Sequence, residues 1–413
     1  MKPIVSFCIA TRNRGGILVD CLRRVMNCGL PPGAFEILVV DNASTDGTAE
    51  RVGRELQGVE RLVLERNCGP VAKNLAMRRA AGEFVVLLDD DAYPLPGALD
   101  AMLRHFADDP LLAAAVFDVT LPDGSREASA YPDVFIGAGT GLRKSFLDRV
   151  GLLPAEYFMQ AEEYDLSFRL LDAGGRVRRF ADMPLVHLKT PSARIGERTT
   201  RLDVRNNLYL LAKYVPAPLC FELAADWLAR YWWMAQRRDG LPSGTAVEAP
   251  TAAHRKAYMA GAAQGMAAWS VRRAGGRHVV KPETVETVFK FARFAGLMRE
   301  AKERLGLRRI VFADVGKNML AYWRAAAAEG VEVAAIIDDH LAATGREYRG
   351  LPVIAESAGL ALGADAIVVS NLSPVHGPKR AEALRRVAGV PVVELVATEH
   401  RGIGVSPMFA GPF

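Results

Sequence analysis

The segment FVVLLDDDA, residues 84–92, is the most informative part of this sequence. A short apolar run with β-branched residues, ended by three carboxylates, is typical of a buried strand whose carboxyl end opens on a ligand crevice. On both sides of it, over about residues 1–100, strand-like runs alternate with helical patterns. This alternation predicts an α/β fold of βαβ units, with a mainly parallel sheet and helices on both of its faces. The predicted strands are 4–10, 35–41, 61–65 and 84–91, and the predicted helices lie near 16–28, 46–56 and 70–81.

Composition sets the broad class. The chain has 413 residues, of which 50% are hydrophobic and 24% charged, which suits two or three globular domains. The formal charge of +5 is small and spread along the chain, so no nucleic-acid partner is expected. Five cysteines without a CxxC pair favour a reducing compartment. No stretch has the roughly 18 uninterrupted apolar residues that cross a bilayer, so we expect a cytoplasmic protein.

The pattern changes twice along the chain. We expect a first α/β domain over residues 1–215, which includes a helix from Glu162 to Ala173, and a helical connecting region over 216–305. A second, smaller α/β domain is predicted over 306–400 from the segments RRIVFADVGKN, VEVAAIIDD and ADAIVVSN. Residues 401–413 are expected to form a C-terminal tail.

The three carboxylates Asp89, Asp90 and Asp91 are the strongest chemical signal. Adjacent carboxylates repel each other unless a cation or solvent relieves them. Mg²⁺ or Mn²⁺ prefers oxygen ligands and commonly completes its coordination with substrate phosphates. The triplet therefore predicts a divalent metal that carries a diphosphate. The alternative is a solvated acidic loop.

Two further acidic positions stand at element ends. Asp41 closes the predicted strand FEILVVD, where it either accepts hydrogen bonds from a ribose or belongs to the turn and cap that follow. Glu162, Glu163 and Asp165 fall in the first turn of a predicted helix, where carboxylates meet the helix dipole favourably. Two consecutive glutamates exceed what capping needs, so one of them is a candidate general base.

Five segments carry a family resemblance: SFCIATRNR, ILVVDNASTDGT, ERNCGPVAKNLAMRRAAGEFVVLLDDDA, GAGTGLRKSFLDRVGLLPAEYF and QAEEYDLSFRLLDAGGRV. With them, residues 1 to about 215 resemble the family 2 glycosyltransferases of the GT-A fold, above all bacterial rhamnosyltransferase-type members. The resemblance implies an inverting, metal-dependent transfer of a sugar from a nucleotide-sugar donor to a saccharide or lipid-linked acceptor, in cell-surface polysaccharide or lipopolysaccharide assembly.

The same resemblance implies roles for individual residues. Asp89 and Asp91 match the DxD pair, with Asp91 as the direct metal ligand. His187 stands where relatives often have a histidine at the metal or diphosphate, although a lone histidine is also common as a packed residue. Glu163 stands where the family has its catalytic Asp, and Glu162 remains the alternative base. The implied nucleotide-sugar-binding residues are Thr11, Arg12, Asn13, Asp41, Asn67, Gly69, Lys73, Asn74, Asp89 and Asp90.

The C-terminal half poses two questions. Residues 306–400 resemble the Rossmann-like N-terminal domain of sugar O-acyltransferases, but only Gly316 of a dinucleotide fingerprint is present. Asp338 either holds a ribose there or belongs to a purely structural domain. The segment ADWLARYWWMAQRR either lies on a membrane surface or packs in the interior. Its aromatic and basic residues are Trp227, Arg230, Tyr231, Trp232, Trp233, Arg237 and Arg238.

Two other function classes fit part of the pattern. A nucleotidyltransferase also binds nucleotide phosphates through acidic residues at strand ends, but it needs a basic, glycine-rich segment near the first strand. Such a segment is supplied only in part, by Arg12, Arg14, Gly15 and Gly16. A non-catalytic sugar-nucleotide-binding protein is disfavoured because both acidic motifs are intact.

Overall fold

The computed structural model describes residues 2–190, 196–236, 252–269 and 278–396. The chain forms two compact units. The first comprises Met1–Ala128 and Asp133–Ile195, and the second comprises Ser129–Pro132 and Gly196–Phe413. The helical region and the smaller α/β part thus share the second unit, while the domain boundaries given above stay predictions.

The first unit is built on a mixed sheet, in which the structure describes nine strands. The strand order is β3-β2-β1-β4-β8-β6-β9-β5, and β7 also pairs with β6. The first four strands in this order pair in parallel, and β8 is antiparallel to β4. The bounds are β1 Val5–Thr11, β2 Phe35–Asp41, β3 Val59–Val63, β4 Phe84–Asp89, β5 Ala92–Pro94, β6 Leu112–Thr120, β7 Arg126–Glu127, β8 Gly139–Arg143 and β9 Arg176–His187.

Helices cover both faces of this sheet, as predicted. Phe7 and Cys8 are consecutive in β1, and they belong to two different buried apolar clusters. Because successive side chains of a strand point to opposite faces, each cluster fills one face. The helices are α1 Gly15–Met26, α2 Thr48–Glu55, α3 Lys73–Arg79, α4 Ala98–Asp108, α5 Lys144–Val150 and α6 Glu162–Asp172, with 3-10 turns at Gly69–Ala72 and Ala155–Tyr157.

The strand register gathers the acidic residues at one edge. Thr11 at the end of β1 lies opposite Asp41 of β2, and Ala10 lies opposite Asp89 of β4. On the far side of the aspartate triplet, Ala92 of β5 pairs with His187 of β9. The carboxyl ends of β1, β2 and β4 therefore meet where His187 ends its own strand.

A tight loop fixes the start of α6. Phe158, Gln160 and Ala161 adopt backbone conformations with positive φ angles of 64°, 69° and 65°. Gly69 also has a positive φ of 69°, and a Cβ atom there would lie 2.4 Å from the carbonyl oxygen of Phe158. Only glycine accommodates both the backbone angle and this approach. Gly69 thus allows the loop before α6 to pack against the 3-10 turn.

The second unit combines helices with a smaller sheet, in which the structure describes six strands in the order β12-β13-β11-β10-β14-β15. All its pairs are parallel except β12 with β13. The α/β class and the second sheet are therefore confirmed. The helices are α7 Gly196–Tyr214, α8 Leu219–Ala235, α9 Ala252–Ala267, α10 Pro282–Phe289, α11 Phe291–Leu305, α12 Met319–Ala328, α13 Glu356–Leu360 and α14 His376–Arg385. The strands are β10 Arg309–Ala313, β11 Glu332–Ile337, β12 Glu347–Tyr348, β13 Leu351–Ile354, β14 Ala366–Val369 and β15 Val392–Val393.

The structure gives Asp338 a local role. Its Oδ2 accepts a hydrogen bond from the Val315 amide at 3.0 Å. Its Oδ1 accepts from the amides of His340 and Leu341 at 3.1 and 3.0 Å. The carboxylate thus orders its own loop and ties it to the segment after β10, which favours the structural interpretation of this domain over ribose binding.

The aromatic segment packs inside the second unit. Trp227 and Tyr231 are buried. The Trp227 indole donates to the Lys317 carbonyl at 2.8 Å, and Arg230 donates to the Val315 carbonyl at 2.7 Å. These contacts favour interior packing over a membrane surface, whereas residues 237–238, the two arginines that end the segment, lie outside the described residues. Within the described ranges, no helix is long and apolar enough to cross a membrane.

Gly69 and Gly58 form a matched pair for testing the loop before α6. Gly58 has a φ of 76° but no atom within 4 Å of the position that a Cβ would take, so Gly58→Ala should cost only the left-handed backbone, about 1–2 kcal/mol. Gly69→Ala adds the overlap with Phe158 and should lower the free energy of unfolding by clearly more. Urea unfolding of both variants measures the difference, and equal losses would contradict the close approach.

Candidate functional site

Two cations hold the outer aspartates of the triplet. Lys73 Nζ lies 2.7 Å from Asp89 Oδ1. Arg14 Nη2 lies 2.7 Å from Asp91 Oδ2, and that oxygen also accepts the Thr190 amide at 2.8 Å. Burial opposes ionisation of both carboxyls, but Lys73 holds the pKa of Asp89 below its usual range, and His187 and Arg14 do the same for Asp91. Each outer aspartate therefore has one oxygen neutralised and is held in its charged form.

Asp90 points inward between them. It accepts the Thr11 hydroxyl at 2.7 Å and pairs with Arg14 at 2.9 Å. Burial raises the pKa of Asp90 to about 6, although Arg14 and Thr11 lower it. Thr11 and Asp90, both predicted to bind the nucleotide sugar, thus bond to each other within the protein and brace the end of β4.

The remaining oxygens of the outer aspartates face His187. Its Nε2 lies 3.3 Å from Asp91 Oδ1 and 3.8 Å from Asp89 Oδ2. Asp91 Oδ1 and His187 Nε2 are buried, and neither has a hydrogen-bond partner in the part of the chain that the structure describes. An octahedral cation with ligands at about 2.1 Å sets adjacent ligands about 3.0 Å apart. These three residues therefore fit a divalent metal, which would relieve two buried polar atoms.

A fourth residue holds the other side of the imidazole. His187 Nδ1 lies 2.7 Å from Glu127 Oε2, and Lys189 Nζ lies 3.1 Å from Glu127 Oε1. Burial lowers the pKa of His187, but the carboxylates of Asp91, Glu127 and Asp89 outweigh it and raise that pKa to about 9. The ring thus stands between carboxylates on both sides, as a histidine does when it is a metal ligand with an outer carboxylate.

The two candidate bases differ in their surroundings. Glu163 lies beside Gly137, where a Cβ atom would come within 3.2 Å of Glu163 Oε1. The Gly137 carbonyl accepts Lys73 Nζ at 3.0 Å, which connects Glu163 to the aspartates. Glu162 is buried, and its Oε2 has no hydrogen-bond partner among the described residues. Burial raises the pKa of both carboxyls, and the charge of Glu163 raises that of Glu162 further.

Two predicted nucleotide-binding residues shape the loop after β2. Asp41 is buried and its Oδ1 accepts the Ser44 amide at 2.8 Å. Asn13, with a φ of 54°, accepts the Thr45 amide on its Oδ1 at 2.7 Å. Arg12, which precedes Asn13 in the chain, is exposed. The ends of β1 and β2 are therefore tied together beside the aspartates, with Arg12 on the surface.

Asn67, Gly69 and Asn74 form hydrogen bonds with other residues of the chain. Asn67 Oδ1 accepts from the Asn42 side chain and from the Gly69 amide, both at 2.9 Å. Asn74 donates to the Leu153 carbonyl at 2.7 Å and accepts the Leu153 amide at 3.0 Å. The Asn74 side chain thus ties α3 to the segment that contains Leu153, and its role at the nucleotide stays a prediction.

The sequence profile of Glycosyl transferase family 2 matches residues 6–150 of the chain. The chain contains a family 2 glycosyltransferase domain. The match covers the triplet of aspartates, Asp41 and Lys73, whereas Glu162, Glu163 and His187 lie beyond it. The roles of those last three residues therefore rest on the geometry given above and on the resemblance of sequence.

Relatives of this glycosyltransferase domain come from different organisms. Glycosyltransferase AglE of Haloferax volcanii is 28% identical over 135 residues, which cover 31% of this chain and 44% of AglE. The putative teichuronic acid biosynthesis glycosyltransferase TuaG of Bacillus subtilis is 35% identical over 94 residues, 22% of this chain and 36% of TuaG. The chain thus spans less than half the length of these relatives. Among solved structures, the mannosyltransferase PcManGT from Pyrobaculum calidifontis, in complex with GDP-Man and Mn²⁺, aligns with a TM-score of 0.44 and 22% identity over 80% of this chain and 87% of that one.

Four residues near the site are not marked as site residues by the sequence: Arg14, Glu127, Lys189 and Thr190. The sequence shows Arg14 only as part of a basic segment. Glu127 sits in the polar segment DGSREAS, and its contact with His187 spans 60 positions of the chain. No local pattern marks such a pair, because it arises only when the sheet forms.

Metal binding tests the three-residue group directly. Asp91→Asn and His187→Ala should each weaken Mn²⁺ binding by at least about tenfold, since each removes one of three ligands. Isothermal titration calorimetry or the electron paramagnetic resonance of free Mn²⁺ measures the dissociation constant. Asp148→Asn, at a carboxylate whose side chain is 62% exposed and pairs with Lys144, is the matched control and should bind as the wild type does. Wild-type affinity in both site variants would contradict the assignment.

The buried carboxyl of Glu162 makes a prediction about stability. Because its pKa is raised in the folded state, the folded protein holds a proton that the unfolded chain releases above the ordinary value of 4.5. Glu162 therefore costs stability as pH rises, and Glu162→Gln should raise the Tm more at pH 8 than at pH 4.5. Thermal unfolding across this range measures the effect, with exposed Glu83→Gln as the control. A gain that does not change with pH would contradict the burial argument.

Proposed function

We propose that the chain transfers a glycosyl group from a nucleotide-sugar donor to a hydroxyl of a saccharide or lipid-linked acceptor. The observation that carries this proposal is the group formed by Asp89, Asp91 and His187 at the carboxyl edge of a family 2 glycosyltransferase domain. Two of its three ligand atoms are buried without a hydrogen-bond partner in the described residues. Such a group suits a cation that binds a diphosphate.

The chain's own residues prepare this group. Asp89, Asp91 and His187 would hold Mg²⁺ or Mn²⁺, which when bound neutralises the diphosphate leaving group as a Lewis acid. Lys73 and Arg14 keep the two aspartates ionised and leave one oxygen of each turned toward His187. Asp41 and the loop beside it lie at the same edge, where a ribose would extend from the diphosphate.

Glu163 is the proposed base. It removes the proton of the acceptor hydroxyl while that oxygen attacks the anomeric carbon and the bond from this carbon to the diphosphate oxygen breaks. A single displacement of this kind inverts the anomeric centre. Glu162, more deeply buried and raised further in pKa by its neighbour, is the carboxyl that keeps its proton. The two adjacent glutamates thus take different roles.

One relative supports a proposal for the biological setting. TuaG is named as a putative glycosyltransferase of teichuronic acid biosynthesis. We extend this to the present chain as a role in assembling a cell-surface polysaccharide or lipopolysaccharide. A nucleotidyltransferase is disfavoured because Arg14, which such an enzyme would need for gripping phosphate, pairs with Asp90 and Asp91.

A ligand screen tests the proposed function. Purified protein is heated with UDP-, GDP-, dTDP- and CMP-sugars, with and without Mn²⁺, because a ligand that binds the folded state raises the Tm. We expect one nucleotide class to stabilise the protein only with metal, and to release its nucleotide when an acceptor is added. No stabilisation by any donor, or the same shift in Asp91→Asn, would overturn the proposal.

Replacement of the base should affect the chemical step. Glu163→Gln removes proton acceptance and should lower kcat by about 10²–10⁴-fold with little change in donor affinity. Glu162→Gln, which resembles the neutral carboxyl already present, should lower kcat far less. Steady-state kinetics and donor titrations on both variants separate the two residues. A larger loss in Glu162→Gln would reverse their roles.

The raised pKa of Glu163 predicts the acid side of the pH profile. The base works only when ionised, so kcat should rise with pH through a midpoint above the ordinary glutamate value of 4.5. Kinetics at saturating donor, metal and acceptor measure this midpoint. A midpoint at or below 4.5 would show that a group other than Glu163 accepts the proton.

A further inference from the structure

We propose that Glu127 is a positioning residue that orients His187 as a metal ligand, and that Lys189 keeps Glu127 in place. This inference rests on the proposed metal site and goes beyond it, because Glu127 is not itself a ligand of the metal or a contact of the substrate. Its carboxylate acts through the imidazole. Three features support the assignment: the sheet, the two ring nitrogens and the neighbours of Glu127.

The sheet places the two side chains on one face. Val119 of β6 pairs with Glu127 of β7 on one side and with Leu185 of β9 on the other. Residues in one row across a sheet share a face, and so do residues two apart along a strand. His187 therefore projects from the same face as Leu185 and Glu127. The short strand β7, only Arg126–Glu127, delivers its second residue to the imidazole.

The two ring nitrogens of His187 have different partners. Nδ1 lies 2.7 Å from Glu127 Oε2, so Nδ1 carries the proton that is donated to the carboxylate. Nε2 faces Asp89 and Asp91 and has no hydrogen-bond partner in the described ranges. A carboxylate on the outer nitrogen fixes the tautomer and the ring orientation and raises the basicity of the inner nitrogen. Glu127 thus presets the nitrogen that would bind the metal.

Lys189 completes the arrangement. Its Nζ lies 3.1 Å from Glu127 Oε1, so both oxygens of Glu127 are engaged, one by each side chain. Lys189 itself has a left-handed backbone conformation, with a φ of 49°. The next residue, Thr190, donates its amide to Asp91. Residues 187–190 therefore supply the imidazole, the lysine that holds Glu127 and the amide that binds Asp91.

The position of β7 does not depend on Glu127. Arg126 forms an ion pair with the buried Asp118 of β6, which also pairs with Arg179 of β9. Because these contacts keep β7 on β6, a substitution at Glu127 should leave the strand paired. Loss of function in such a variant would then report on the imidazole rather than on the fold.

The experiment measures Mn²⁺ binding to the full chain without donor or acceptor. Glu127→Ala should raise the Mn²⁺ dissociation constant by about 10–100-fold, as removal of an outer carboxylate does at other histidine sites. Glu127→Gln keeps an oxygen that accepts from Nδ1 and should restore most of the affinity. Lys189→Met should fall between them. Histidine ¹⁵N chemical shifts of the metal-free protein should show the Nδ1–H tautomer or the doubly protonated ring in the wild type, and a change in Glu127→Ala.

Asp182→Asn is the matched control. Asp182 Oδ1 lies 2.8 Å from Nε2 of His105, a second histidine of the same unit. The substitution thus removes a carboxylate from a histidine that is not part of the aspartate group. This variant should bind Mn²⁺ as the wild type does. Wild-type affinity in Glu127→Ala would overturn the inference.

The outcomes also separate this inference from the proposed metal site. If the wild type binds Mn²⁺ and Asp91→Asn does not, the site stands, and wild-type affinity in Glu127→Ala rejects only the role of Glu127. If the wild type does not bind Mn²⁺, both the metal site and the role of Glu127 fail. Should Glu127→Ala not fold, Lys189→Met decides the question, and wild-type affinity with unchanged histidine shifts in that variant would reject the inference.

Discussion

The site depends on how charge is balanced at the end of β4. Three consecutive aspartates would repel each other, and the protein relieves them with Lys73 and Arg14 rather than by exposing all three to solvent. Each cation takes one oxygen of an outer aspartate. The other oxygens are left facing His187, and the middle aspartate becomes a brace. Lys73 and Arg14 thus offset the repulsion within the triplet. They also determine which carboxylate oxygens are left to bind a metal.

The sheet supplies the rest of the geometry. Parallel pairing of β1, β2 and β4 brings their polar ends to one edge, and the antiparallel pair of β5 with β9 sets His187 beside Asp91. The close approach at Gly69 positions the start of α6 and with it Glu163. No single element contains the site. Its parts come from five strands, two helices and the loops that join them.

The sequence predicts the framework well, because apolar runs with regular spacing reflect local burial. The strands of the first ninety residues, α6 and the acidic edge are all visible in this way. Contacts between distant segments are not. Glu127 meets His187 only through β6, and the hydrogen bond of Asn74 to Leu153 joins positions 79 residues apart. In the second unit, the sequence leaves a membrane surface and interior packing open for the aromatic helix, and the hydrogen bond of Trp227 to a backbone carbonyl inside the unit favours packing.

The most direct test of the metal site is anomalous diffraction from crystals grown with Mn²⁺ and a nucleoside diphosphate. The proposed site predicts one strong anomalous peak at about 2.0–2.3 Å from Asp89 Oδ2, Asp91 Oδ1 and His187 Nε2, with diphosphate oxygens completing the coordination. Lys73 and Arg14 should still hold the other oxygens of the two aspartates. An anomalous peak at another place in the protein would contradict the proposed site. So would a diphosphate bound beside Asp89 and Asp91 with no Mn²⁺ at His187.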